Sequence, residues 1–119
     1  MPVLGTIDFT QFRAEEGGDT KRYRFGMYTG PKNYSNFYAN GGTGDPIIPG
    51  DLKLGQIHMI FFDTAVNAAG APLSPAYISS NQGGPANGTI IWFQWNTNAE
   101  VANGTDLSGY SAYFEGVGI

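Results

Sequence analysis

Glycine and proline interrupt this sequence at short intervals from one end to the other. The 18 glycines and 7 prolines fall in every region. Each costs a helix interior about 1 kcal/mol (Gly) or about 3 kcal/mol (Pro) relative to alanine. Long helices are therefore nearly excluded. Between the interruptions lie short runs in which apolar residues alternate. Tyr23, Phe25 and Met27 alternate with Arg22, Arg24 and Gly26; Ile57, Met59 and Phe61 with Gln56, His58 and Ile60; Tyr110, Ala112 and Phe114 with Ser111, Tyr113 and Glu115. A period of two is the mark of a half-buried strand. Ile90 to Trp95 is apolar except for Gln94, as a strand covered on both faces would be.

These patterns predict strands near residues 21–29, 56–63, 89–96 and 109–117. Residues 3–9 and 34–38 are weaker strand candidates, and Ala76-Tyr77-Ile78 reads as extended. Turn-forming clusters separate the runs: Gly17-Gly18-Asp19, 41–46, 67–75, 82–88 and Asn103-Gly104. Residues 10–16 (TQFRAEE) form the best helical window, ended by Gly17-Gly18, and 51–54 suit one helical turn after Pro49. Residues 64–88 are small-residue rich with weak pattern and read as a long loop. The expected fold class is all-β, an antiparallel β-sandwich with jelly-roll character and very little helix. It forms one domain over residues 1–119, with residues 1–16 free to act as an N-terminal arm. The expected core is Tyr23, Phe25, Met27, Ile57, Met59, Phe61, Trp92 and Phe114.

Length and composition narrow the function. A chain of 119 residues supports one core. Its 41% apolar and 14% aromatic content argues against global disorder. The net charge is −4, and all six cations, Arg13, Lys21, Arg22, Arg24, Lys32 and Lys53, precede Leu54. Nucleic acid and anionic membrane surfaces both need clustered cations, so neither is expected as a partner. There is no cysteine, hence no disulfide framework and no thiolate chemistry. No apolar run is long enough to span a bilayer. Residues 1–10 lack the basic and apolar regions of a signal peptide, so synthesis in a cytoplasm is expected.

No motif carries catalysis. His58, the single histidine, sits on the polar side of a strand pattern with no nucleophile motif beside any serine. Ten carboxylates permit a hydrolytic pair, but nothing in their spacing selects two. Asp45, Asp51 and Asp106 stand where Asx turns and caps are usual. Gly41-Gly42-Thr43-Gly44 is followed by Pro46 rather than by Lys-Ser/Thr, which speaks against a phosphate cradle. The sequons at Asn87 and Asn103 are explained by Asn-Gly turns. No catalytic residue, cofactor or metal is expected. The aromatic blocks 23–38 and 92–95 suit core and subunit packing more than a stacking platform.

Two segments carry a resemblance. Residues 38–54 read YANGGTGDPIIPGDLKL and are followed by the strand GQIHMIFF; residues 99–118 read AEVANGTDLSGYSAYFEGVG. In order and relative position they resemble a family of small tailed-bacteriophage virion proteins, the capsid decoration or cement proteins. That family has a tyrosine, a Gly-Gly-Asp/Glu-Pro-Leu stretch, a proline with Asp-Leu and Leu-Gly, then a strand, and ends in Gly-Thr-Asp-Leu-Ser, strand, Gly. This chain differs in the inserted Thr43-Gly44 and in Ile47-Ile48. The resemblance implies a non-enzymatic β-sandwich on the outer surface of the virion head. It would bind the major capsid protein as a homo-oligomer, a trimer first and a dimer second, and stabilise the shell. The alternative is a carbohydrate-binding or host-adhesion module on the virion. The expected contact residues are Arg22, Arg24, Tyr34, Phe37, Tyr38 and Tyr77, with Arg22 and Arg24 projecting from one strand face to steer docking.

Overall fold

A computed structural model describes residues 7–14, 22–38, 42–79 and 88–119; of 7–14 it describes the backbone. The turns expected at 17–19 and 82–87 lie outside the described residues. Among the described residues eight strands follow in chain order: β1 (Ile7–Ala14), β2 (Arg22–Thr29), β3 (Asp45–Ile47), β4 (Ile57–Phe62), β5 (Ala65–Val66), β6 (Pro72–Ser79), β7 (Gly88–Gln94) and β8 (Ser111–Gly118). Among the described residues there is no α-helix, only a 3-10 turn at Pro49–Leu52. The fold is all-β and antiparallel, and the four strands read most clearly from the sequence are β2, β4 and β8, from alternation, and β7, from its continuous apolar run.

All the strands belong to one curled sheet. Its order is β1-β2-β8-β5-β6-β7-β3, with β4 also pairing β8. β4 and β5 lie one after the other along the same edge of β8: Ile57 to Phe62 run opposite Gly118 to Phe114, and Val66 faces Ser111. The curl brings β2 across the core from β3 and β7. The Tyr28 and Trp92 rings lie 5.7 Å apart, and the Tyr28 hydroxyl donates to the Asp45 carboxylate. Tyr28, Ile47, Leu52, Ile90, Trp92, Leu107 and Phe114 are the heart of the core. Ile90 and Trp92 point into it, and Ile91 on the opposite side is buried as well, so β7 is covered on both faces as its continuous apolar run predicts.

Four expectations are corrected. Residues 10–14 are strand, not helix: β1 pairs with β2 from Ile7↔Tyr28 to Ala14↔Arg22, through a bulge between Phe9 and Gln11. Backbone pairing on a neighbouring strand outweighs a weak helix propensity in so short a window. For the same reason residues 7–14 are an edge strand rather than part of a free arm. Residues 64–88 are not one loop, because they contain β5 and β6. Ala76-Tyr77-Ile78, read as extended, is the middle of β6; Pro72 and Pro75 hid its first half, since proline removes a ladder donor. β5 reaches only to Leu73, so from Ser74 onward β6 pairs with β7 alone, and a strand bonded on one side tolerates Pro75.

Residues 34–38 are a loop rather than a strand. The loop is clamped to the 100–105 turn: Tyr34 N–H donates to Thr105 O (3.0 Å) and Gly104 N–H to Tyr34 O (2.7 Å), and Asn36 Nδ2 donates to Val101 O (2.9 Å).

Candidate interaction face

The outward face of β2, β8 and β4 is apolar. Register aligns it in rows: Tyr23–Val117–Met59 and Phe25–Glu115–Phe61, with Met27 beside Tyr113. Met59, Phe61 and Tyr113 are 47%, 56% and 64% exposed, and Tyr23, Phe25, Met27 and Val117 are half-buried. Glu115 is the one charge in these rows. Single exposed apolar side chains are ordinary, whereas contiguous ones mark a surface that meets something.

This face overturns most of the expected core. Tyr23, Phe25, Met27, Met59 and Phe61 are not core residues; Ile57, Trp92 and Phe114 are. In β2 it is the other face, Arg24, Gly26 and Tyr28, that is buried. Gly26 stands opposite Phe114 and Arg24 opposite Gly116. A small residue beside each bulky one lets the inward side chains fit between strands. In β4 the phase changes part-way. A bulge between Ile57 and Met59 shifts the alternation, so that Ile57 and Ile60 both point in while Met59 and Phe61 point out. His58 is exposed beside that bulge.

Arg24 corrects a docking residue. Its guanidinium is buried, with Nε donating to Leu52 O and Nη2 to Lys53 O, both at 2.9 Å. Burial, and secondarily the charge of Arg22, push its pKa down. The group braces the end of the 3-10 turn, where Lys53 takes a left-handed conformation (φ 54°), and offers no charge to a partner. Arg22, by contrast, is exposed at the start of β2.

The remaining expected contacts are divided between core and surface. Tyr34 is buried. Its hydroxyl donates to Glu100 Oε2 (2.6 Å) and accepts Trp92 N–H (3.0 Å). Burial first, and the bond to Glu100 second, drive its pKa far up. Glu100 also accepts the N–H groups of Phe37 (2.5 Å) and Tyr38 (2.8 Å). Those donors hold Phe37 and Tyr38 as an edge-to-face pair, ring centroids 5.1 Å apart, with Phe93 at 6.3 Å from Tyr38. Tyr38 is exposed and Phe37 half-buried. Tyr77 is half-buried, its ring filling the space where Gly88 has no side chain.

The structure thus brings Phe37 and Tyr38 together and removes Arg24 and Tyr34 from the surface. Met59 and Phe61 were missed as contact residues because their alternation resembles that of a core, and Tyr113 because it stands between Ser111 and Glu115 on the polar side of its run. The buried carboxylate Asp45 receives the Tyr28 hydroxyl, whose oxygen in turn accepts Trp92 Nε1–H (3.2 Å). That places it in a network that pins β2, β3 and β7 together.

No known family model, curated protein or solved structure matches this chain.

Proposed function

We propose that this protein is a non-enzymatic structural protein of a tailed-phage head, a decoration protein that binds the outside of the shell and stabilises it. The observation that carries the reading is the outward apolar face centred on Met59, Phe61 and Tyr113. A sheet presenting aromatic and methionine side chains around a single carboxylate within β2, β8 and β4 has the composition of an interface centre, where charges are depleted and aromatics and methionine enriched. The sequence resemblance adds support. Its two segments touch each other in the fold: Tyr38 N–H bonds to Glu100, and Leu52 lies against Gly116.

On this reading the major capsid protein, or a second decoration subunit beside it, covers the β2–β8–β4 face. Three-fold lattice axes favour a trimer. A partner that binds only the assembled shell shifts the assembly equilibrium toward it by mass action. No cofactor, metal or nucleic acid enters the scheme, and the place of action is the virion surface.

The test uses a lysate of the phage that encodes the chain. The protein is expected to co-sediment with intact heads in near-equimolar ratio to the shell protein. Absence from purified heads would end the proposal. Phe61→Glu together with Tyr113→Asp, added to undecorated heads, should abolish binding while the variant stays folded; binding equal to the parent's would move the contact elsewhere.

A further inference from the structure

The chain from Gln94 to Ala99 makes a tight turn beyond β7 that carries an indole into solvent. Trp95 is 51% exposed. Around it, an open cleft of about 440 Å³ is lined by Trp95, Asn96, Thr97 and Asn98 of the turn and by Ser74 of β6. None of these residues belongs to the apolar sheet face.

The turn is held in one shape. Gln94 N–H donates to Ala99 O (2.8 Å), and Ala99 N–H donates to Thr97 Oγ1 (3.1 Å). Phe93 and Glu100 bridge below it, and Asn96 occupies the left-handed region at φ 60°. The turn thus displays the Trp95 ring to solvent beside uncharged polar side chains.

The chemistry of the lining selects a ligand class. The indole offers a flat face with a negative quadrupole, which attracts the C–H bonds on the apolar face of a pyranose ring. Asn96 and Asn98 each bring an amide able to donate and accept at once, and Ser74 brings a hydroxyl, while the Thr97 hydroxyl is engaged inside the turn by Gln94 O (3.4 Å) and Ala99 N–H. Such groups match the vicinal hydroxyls of a sugar. No lining residue is charged, and from Leu54 onward the chain has four acidic residues and no Lys or Arg. Phosphate, sialate and nucleic acid are therefore disfavoured.

We infer that the Trp95 turn is a binding site for neutral pyranosyl oligosaccharides. A shallow cleft with one stacking ring binds weakly, and many copies on one particle convert weak sites into firm adhesion.

The probes are maltotriose, cellotriose and chitotriose, each titrated against the intact protein with saturation-transfer NMR as readout. At least one is expected to bind saturably, with transfer strongest to ring protons of one sugar face. Trp95→Ala should weaken binding at least ~10-fold, a loss of about 1.4 kcal/mol, and Trp95→Phe should retain part of it. Thermal melting of both variants should match the parent, because Trp95 is outside the core. Absence of transfer from all three sugars, equal binding by Trp95→Ala, or tighter binding of an oligogalacturonate than of the neutral sugars would each overturn the inference.

Discussion

Phe61 and Phe114 are both strand phenylalanines in alternating runs, yet they lie on opposite sides of the sheet. Phe114 is buried, 6.4 Å from the Phe62 ring, whereas Phe61 is more than half exposed. Phe114→Ala should therefore cost about 3–5 kcal/mol. Phe61→Ala should stay within about 1 kcal/mol, as surface substitutions do. Urea unfolding of the two variants measures the difference, and equal losses would contradict the assignment of faces. The buried tyrosines make a second residue-scale prediction. Burial holds the Tyr28 and Tyr34 hydroxyls protonated well above their ordinary value of 10.0. The unfolded chain ionises them near that value and the folded protein does not. Their contribution is thus complete below about pH 10 and lost as pH rises beyond it. Each tyrosine costs the folded state about 1.4 kcal/mol per pH unit there. Stability measured from pH 8 to 11 should fall above pH 10, and the slope should be shallower in Tyr34→Phe.

Elements meet in this fold where one side has no side chain. A Cβ at Gly118 would run into the backbone carbonyl of Gln56 and approach Leu54. Backbone cannot move aside as a side-chain tip can, so Gly118→Ala forces β8 away from the segment leading into β4. A loss of about 1–3 kcal/mol is expected by thermal or urea unfolding. Arg24 ties β2 to the 3-10 turn. Arg24→Met keeps the apolar stem but takes the guanidinium from the carbonyls of Leu52 and Lys53. A loss of about 1–3 kcal/mol should follow, with earlier hydrogen exchange at Leu54, whose N–H closes the turn onto Pro49 O (3.0 Å). A charge-reversed Arg24 would therefore report on folding rather than docking. Arg22→Glu alone tests whether charge at that corner matters.

The whole molecule carries −4, and the rows of Met59, Phe61 and Tyr113 hold a single carboxylate within β2, β8 and β4. Docking through Met59, Phe61 and Tyr113 should respond little to ionic strength, since buried apolar area is not screened by salt. An interface steered by arginines would weaken steeply. Head binding measured from low to moderate salt is expected to stay nearly constant and to be unaffected by Arg22→Glu. A steep salt dependence would place the contact among charged side chains instead.

The sequence determined that this chain is an antiparallel β protein. Glycine and proline punctuation excludes helices of useful length, and two-residue alternation holds through β2 and β8. The continuous apolar run of β7 announced a strand covered on both sides, and Trp92 and Phe114 were legible as core. Which face of β2 turns inward was not legible. An arginine reads as solvent-facing until the carbonyls of Leu52 and Lys53, 28 and 29 residues away, are seen to receive it. Nor was the bulge in β4, which reverses the phase after Ile57. A strand has two faces, and the sequence states the composition of each; only the strands and turns packed across the sheet decide which face is covered. The apolar surface at Phe61 and the indole at Trp95 came into view only in the tertiary structure for that reason. Both are sets of ordinary strand and turn residues whose exposure depends on partners distant in the chain.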